Sequence, residues 1–327
     1  MEHRMNRREF LGAAAVTSLG AAMSASGFAM PATRQPFRAK PMDVVRVGFI
    51  GLGGMGCNHL LNNLIKIEGV EIRAICDCVP AKVERVHKVF ADKGLAKPAG
   101  YSKGEYDFKN LCDRDDIDLV YIATPWRWHV PMCVDAMQKG KHACTEVPAA
   151  VTMDGCWQLV ETAEKTQRHC VMMENCCYDR VELTVLNMVR KGVFGELIHA
   201  ECGYLHDLRG VKFSSGGEGL WRREHAMKRN GDLYPTHGLG PVAQCMNINR
   251  GNQFDYLVSV SSQSRGLQAY AKKHFAGTPK GNEQYKLGDV VTTTIRTVQG
   301  QTIVLQHDTN LPRPYSRDIL VQGTKAI

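Results

Sequence analysis

The run Gly51-Leu52-Gly53-Gly54-Met55-Gly56 fits the spacing G-x-G-x-x-G. Glycines so placed let a backbone turn tightly, approach a pyrophosphate closely and bring its charge to the start of a helix. Asp77 follows 21 residues beyond Gly56. A carboxylate there accepts hydrogen bonds from both ribose hydroxyls and repels a 2′-phosphate. Together these residues predict a bound nicotinamide dinucleotide, NAD rather than NADP. A glycine motif alone could be a tight turn and nothing more, so the flanking elements decide its meaning.

Those elements are of the required kind. Residues 44–50 form an aliphatic run of strand length, apolar enough to be buried on both faces of a parallel sheet. A helical pattern follows the glycines, with Leu60, Leu61, Leu64 and Ile65 on one face, and a second strand at 70–76 ends at Asp77. The alternation continues with a strand at 117–123, a helix at 130–139, a strand at 142–146, a helix at 153–167 and a strand at 170–175. Ligands of such sheets sit outside the carboxyl ends of the strands. This places Trp126, Arg127, Trp128 and His129, then Glu146, Val147 and Pro148, then Glu174 and Asn175 on the cofactor face.

From Tyr178 the pattern changes. A helix at 181–191 precedes strands at 197–205, 256–262, 289–297 and 301–308, which alternate polar and apolar as a sheet with one covered face does. The predicted fold class is α/β: an N-terminal Rossmann domain with a doubly wound parallel sheet, followed by an α+β domain with a mainly antiparallel sheet. The expected divisions are a signal segment and linker at 1–40, the dinucleotide-binding domain at 41–178 and a substrate domain at 179–327. The chain stops just after an apparent strand at 317–322, so the second domain is expected to be incomplete.

Composition narrows the class of partner. The net charge is +8, but six of the 41 basic residues and two of the 33 acidic ones lie in residues 1–40, which leaves +4 spread over the rest. With no basic block, neither nucleic-acid nor membrane binding is expected. The twelve cysteines show no paired C-x-x-C spacing, which reads as small buried hydrophobes rather than a zinc site or a disulfide framework, and no metal is expected. The N-terminal Asn6-Arg7-Arg8-Glu9-Phe10-Leu11 is a twin-arginine pattern, and a weakly apolar small-residue stretch follows it. It is short and poor in Leu and Ile, unlike a membrane span. The expectation is export of a folded, cofactor-loaded protein to the periplasm or beyond.

The order of elements, with Ala123-Thr124-Pro125, His129 downstream and a Glu-x-Pro strand end, resembles the Gfo/Idh/MocA oxidoreductases. Dehydrogenases of that superfamily usually carry Lys where this chain has Val147. They also usually carry an acid and a base where Pro235 and Leu239 stand. The ordinary proton machinery is therefore missing. Longer pieces are similar to a narrower group, glycoside hydrolase family 109, the NAD-dependent α-N-acetylgalactosaminidases. They are the twin-arginine start, Trp126-Arg127-Trp128-His129, Glu146-Val147-Pro148-Ala149-Ala150, Met173-Glu174-Asn175-Cys176-Cys177-Tyr178, Tyr204-Leu205-His206-Asp207-Leu208-Arg209-Gly210, Tyr234-Pro235-Thr236-His237-Gly238-Leu239-Gly240-Pro241, Asp308-Thr309-Asn310 and Arg313-Pro314-Tyr315-Ser316.

That resemblance implies glycoside cleavage by a route other than paired carboxylates. Resident NAD⁺ takes hydride from C3 of the sugar, the acidified C2 proton leaves, the C1 group is expelled, water adds and the hydride returns. By the same resemblance, cofactor contacts fall on Met55 and Gly56 beside Gly51, Gly53 and Gly54, on Asp77, Trp126, Arg127, Trp128, His129, Glu146, Val147 and Asn175, and on Tyr234. Substrate contacts fall on Tyr204, Arg222, Tyr234, Pro235, Thr236, His237 and Tyr315. Proton transfer falls among Tyr178, His206 and His237, in no fixed order. Plainer readings stay open: a core aromatic for Tyr204, a strand-end cap for His206, a surface charge for Arg222 (with Arg223 as its rival), loop packing for Tyr315, and solvent carboxylates for Glu146 and Glu174. Two other functions also stand: a sugar or inositol dehydrogenase, and a non-catalytic dinucleotide or sugar sensor. The partners expected are a small-molecule or glycan substrate, with homo-oligomerisation left open.

Overall fold

The computed structural model describes residues 37–327; the twin-arginine segment, and with it the expected export signal, lies outside the described residues. β1 (Val45–Ile50) enters the glycine loop, and α1 (Gly54–Asn58) continues through a wider π turn at His59–Asn63 and a tight turn at Leu64–Lys66. Then follow β2 (Val70–Cys76), α2 (Pro80–Asp92), β3 (Ala99–Tyr101), α3 (Phe108–Cys112), β4 (Leu119–Ile122), α4 (His129–Gln138), β5 (His142–Thr145), α5 (Met153–Thr166) and β6 (Cys170–Met172). The six strands form one sheet in the order β3-β2-β1-β4-β5-β6, and every pair is parallel.

Both faces of this sheet are covered, as its apolar strands require. Leu60, Val83, Val86 and Phe90 pack on one side, and Phe108, Leu111, Met132 and Met137 on the other. The sequence pattern set out above lacks α2, although its signal is present. Pro80 sits in its first turn, and Val83, Val86 and Phe90 recur at helical spacing.

The second unit of structure begins with α6 (Arg180–Arg190) and β7 (Leu197–Leu205). α7 (Arg209–Phe213), α8 (Arg222–Lys228), α9 (Thr236–Cys245), β8 (Phe254–Ser261), α10 (Gly266–His274), β9 (Val290–Thr297), β10 (Thr302–Asp308) and β11 (Leu320–Gly323) complete it. Its sheet runs β11-β7-β10-β9-β8, antiparallel except for the parallel pair β7 and β10. Leu186 of α6 and Val242 and Cys245 of α9 cover one face, over Ala200, Ile295, Ile303 and Leu305.

α9 forms in spite of Gly238, Gly240 and Pro241, which are poor helix residues. A Cβ at Gly238 would lie 2.5 Å from the Gly203 nitrogen, so only glycine lets the helix lie flat on β7. This is tertiary contact overriding local propensity.

All twelve cysteines are free, and most are buried. Among the described residues no helix is long and apolar enough to cross a membrane.

Candidate active site

The cofactor face is built by backbone. Gly51 adopts φ +99°, and a Cβ on it would lie 2.3 Å from the Ala123 carbonyl oxygen. One on Gly56 would lie 1.9 Å from the Gly51 oxygen. Gly53 and Gly54 differ, because a Cβ at either meets nothing within 4 Å. The loop is thus closed against its own sheet at both ends and open in the middle, where a pyrophosphate needs room. Asp77 is buried beside it and accepts from Leu52 N–H at 2.8 Å and Val79 N–H at 2.9 Å. Lys82 Nζ lies 3.2 Å from the same carboxylate, and Arg85 donates to the Leu52 carbonyl at 3.0 Å. These groups fit a dinucleotide, with Asp77 for the ribose.

Further along the strand ends, His59 Nε2 stands 2.8 Å from Glu146 Oε1. The string after β4 splits. Trp126 turns into the site, Arg127 faces outward to Glu105 at 3.0 Å, and Trp128 packs on Phe108 and Tyr106. His129 is fully buried, with Nδ1 2.7 Å from the Pro148 carbonyl and Nε2 2.8 Å from that of Thr124. Its ring ties the β4 and β5 loops together and does not line open space.

Opposite these strand ends, side chains from distant elements converge. Trp126 stacks on Tyr234 at 5.5 Å between ring centres and meets Trp221 edge-on at 5.0 Å. The Arg222 guanidinium lies 4.9 Å from the Trp126 ring and 5.1 Å from Tyr234, with its Nε 2.7 Å from Glu218. A cation among aromatic faces is favourably placed and well screened from water. Arg223, the rival, pairs instead with Glu283 at 3.0 Å and packs on Phe213. Tyr204, at the end of β7, sits against Tyr234, His237 and Tyr315, at 4.7, 5.4 and 6.3 Å between ring centres. Burial pushes the Tyr204 phenol up to about 12 although Arg222 pulls it down, and burial also pushes Tyr234 up. Both phenols are therefore donors at neutral pH.

Two histidines border this box. His237, in the first turn of α9, has Nδ1 2.7 Å from Glu174 Oε1, which also accepts from Cys176 N–H at 3.0 Å. Burial works to raise the Glu174 carboxyl, but the hydrogen bonds from His237 and Cys176 N–H and the His237 charge outweigh it and hold it below the usual range. Cys176 Sγ comes within 4.8 Å of both groups, a trio that could hold a cation. Burial pushes that thiol up to about 12, and the hydrogen-bonded contact within the trio is the carboxylate–imidazole pair. His206 has Nδ1 3.2 Å from the Tyr204 hydroxyl and its ring 4.9 Å from Tyr315. Burial first, then Arg222, lowers its pKa.

Behind the box lies a second buried layer. Lys212 donates to the Thr309 carbonyl, the Thr309 hydroxyl and Asn310 Oδ1, at 3.1, 2.7 and 2.5 Å. It fixes the turn that leads from β10 to Tyr315. His307, paired with Tyr204 across β10 and β7, is 2% exposed.

The structure therefore gathers Trp126, Val147, Tyr204, His206, Arg222, Tyr234, Thr236, His237 and Tyr315 around one space. Pro235 caps α9 at its rim. Tyr178 is not in this group: the turn Asn175–Tyr178 points it outward, 71% exposed. The sequence reading did not assign roles to His59, Lys82, Glu218, Trp221 or His225. His59, three residues past Gly56 on the helix that faces the strand ends, carried the one local signal. A separate cavity of about 610 Å³ between β2, β3 and α2 contains none of these residues.

Comparison with known proteins agrees with this architecture. The family described as "Oxidoreductase family, NAD-binding Rossmann fold" matches residues 45–174, and "Glycosyl hydrolase 109, C-terminal domain" matches residues 178–327. A glycosyl hydrolase family 109 protein of Shewanella pealeana is 48% identical over 338 residues, covering 99% of this chain and 74% of that one. The chain belongs to glycosyl hydrolase family 109. Another similar relative, from Shewanella oneidensis, is named alpha-N-acetylgalactosaminidase and is 47% identical over 340 residues, covering 99% of this chain and 73% of its own. Among solved structures, scyllo-inositol dehydrogenase from Lactobacillus casei with bound NAD(H) and scyllo-inositol superposes with a TM-score of 0.65. It is 17% identical and covers 86% of this chain and 75% of its own. Aldose-aldose oxidoreductase from Caulobacter crescentus gives 0.65 at 18% identity, covering 86% and 74%. At that identity the likeness concerns the fold alone. This family member is thus a glycoside hydrolase with an NAD-binding Rossmann domain.

Proposed function

We propose that the protein hydrolyses terminal α-N-acetylgalactosamine with NAD as a resident cofactor, through transient oxidation at C3, elimination across C1–C2, addition of water and re-reduction. The observation that carries this reading is the composition of the space facing the dinucleotide cradle. It holds two histidines, three tyrosines and a buried arginine, while Val147, 3% exposed, lines it where a dehydrogenase keeps its proton-carrying lysine. The identity to the Shewanella oneidensis enzyme supports the choice of sugar.

NAD⁺, when bound, supplies a two-electron acceptor for the C3 hydrogen and returns the pair at the end of the cycle. The chain supplies the rest. Asp77 and the open middle of the glycine loop hold the dinucleotide, and Glu146, steadied by His59, limits its movement at the other end. Arg222 with the Tyr234 phenol offers donors to the oxygen that becomes enolate-like when C2 loses its proton. His206 and His237 supply ring nitrogens that accept and donate protons. Trp126, Trp221 and Val147 keep water away from that step. We further infer export in folded, loaded form, which the twin-arginine pattern supports.

Incubation with an aryl α-N-acetylgalactosaminide tests the reading. Aglycone release with no steady rise at 340 nm is expected, and the nucleotide stays with the protein through gel filtration. A steady rise at 340 nm would favour a dehydrogenase, and ready loss of nucleotide would contradict a resident cofactor.

A further inference from the structure

The two histidines of the box are held in opposite tautomers by their partners. Glu174 is ionised, because its hydrogen bonds hold its pKa down, and an ionised carboxylate only accepts. His237 Nδ1, 2.7 Å away, must therefore carry a proton, which leaves a lone pair on Nε2 in the neutral ring. Around His206 the polarity reverses. Burial keeps the Tyr204 phenol protonated, and its hydroxyl lies 3.2 Å from His206 Nδ1, so the phenol directs its hydrogen to that nitrogen. That nitrogen accepts, and Nε2 of His206 carries the proton.

We propose that His237 is the base that removes the C2 proton, with Glu174 as its positioning residue, and that His206 is the acid that protonates the departing C1 oxygen, positioned by Tyr204 and Arg222. The assignment rests on the elimination route proposed above. In the forward step the C2–H bond breaks and its proton passes to His237 Nε2. The C1–O bond breaks with its electron pair on oxygen, which takes the proton from His206 Nε2 while the Tyr204 phenol passes its own to Nδ1 and is left as a phenolate beside Arg222. A C1–C2 double bond forms. Hydration reverses each transfer, so both rings return to their starting tautomers without any further reactant.

The device spans the two units of the fold. Glu174 follows β6 of the dinucleotide sheet, whereas His237 opens α9 of the second unit, 63 residues later. The approach of the two depends on Gly240, where a Cβ would lie 3.0 Å from Glu174 Cγ and 2.9 Å from Cys177 Sγ. The superfamily's acid and base positions hold Pro235 and Leu239 here; His237 lies between them and takes its carboxylate from the opposite wall.

The test uses the full NAD-loaded chain in D₂O with two α-N-acetylgalactosaminides, one with a nitrophenyl leaving group and one with methyl. Wild type should incorporate deuterium at C2 with both. His237→Ala should lose about 10²–10⁴-fold in exchange and release with both substrates. His206→Ala should keep C2 exchange, release nitrophenol at near wild-type rate and lose turnover of the methyl glycoside. Glu174→Gln should lower kcat with little change in KM and remove the downfield Nδ1–H proton resonance that His237 shows in the wild type, a readout independent of turnover. Where His237→Ala fails to fold or to retain nucleotide, Gly240→Ala, which displaces Glu174 without altering either histidine, should reproduce the Glu174→Gln result. Exchange that survives His237→Ala but is lost in His206→Ala overturns the assignment while leaving the elimination route standing. Release without C2 exchange in the wild type overturns the route itself, and the assignment with it.

Discussion

The cofactor face and the substrate face of this site are constructed in different ways. The first is local: β1, the glycine loop, α1 and β2 are consecutive, and Asp77 is fixed to the loop by Leu52 N–H. The second gathers β7, α8, α9 and the turn after β10, and it holds its shape through aromatic packing around a buried cation. The local face depends on backbone space that one methyl group would fill, whereas the assembled face depends on side chains that each have several supports.

Substitution in the loop should have the largest effect. Gly56→Ala puts a methyl 1.9 Å from a carbonyl oxygen that cannot give way, and little or no nucleotide should be recovered from the denatured protein. Gly54→Ala sharpens the point. Its methyl meets no protein atom within 4 Å, so the melting temperature should hold while nucleotide binding weakens. Equal loss of Tm in both variants would contradict a local cradle.

On the assembled face, Arg222→Met removes the buried guanidinium and should cost about 10²–10³-fold in kcat, the usual effect of losing one donor at a developing anion. Its neighbour makes the control: Arg223→Met should retain kcat and lose on the order of 1 kcal/mol of stability with its ion pair to Glu283. If the two losses exchange places, the box has been assigned to the wrong arginine.

The layer behind the box should affect stability before activity. Lys212→Met strands the Thr309 hydroxyl and Asn310 Oδ1, and denaturant unfolding should show a loss of roughly 1–3 kcal/mol. The same layer also carries an effect of pH. Burial, then Lys212 and Arg222, push His307 down to about 3. Between that value and the ordinary histidine range the unfolded chain binds a proton that the folded chain refuses. Stability should therefore fall as pH drops from about 6.5 toward 4. His307→Phe should flatten that fall in a Tm-versus-pH series, and an unchanged slope would contradict a neutral buried ring.

The same contrast explains what the sequence revealed. Elements that carry the local face were legible nearly to the residue: the strand expected at 70–76 is β2 (Val70–Cys76), and the helix expected at 153–167 is α5 (Met153–Thr166). β7 (Leu197–Leu205) was equally clear, because its alternation reflects a single covered face. α9 was not, since Pro235, Gly238, Gly240 and Pro241 read as turns and only packing on β7 makes them helical. For the site, the family resemblance named His206, Arg222 and His237, and the fold brings all three to the aromatic box. No spacing, however, announces that Glu174 faces His237 or that Trp126 stacks on Tyr234, because those contacts exist only after both units fold. Tyr178 stands apart from both: the family resemblance suggested it, and the turn that follows Glu174 leaves its side chain 71% exposed.

The most direct test of the central claim is the fate of the C2 hydrogen during turnover of an aryl α-N-acetylgalactosaminide in D₂O, followed by NMR alongside absorbance at 340 nm. The account predicts that released sugar carries deuterium at C2 and that absorbance shows no net rise. Sugar released with its original C2 hydrogen, or a steady climb at 340 nm, would contradict it.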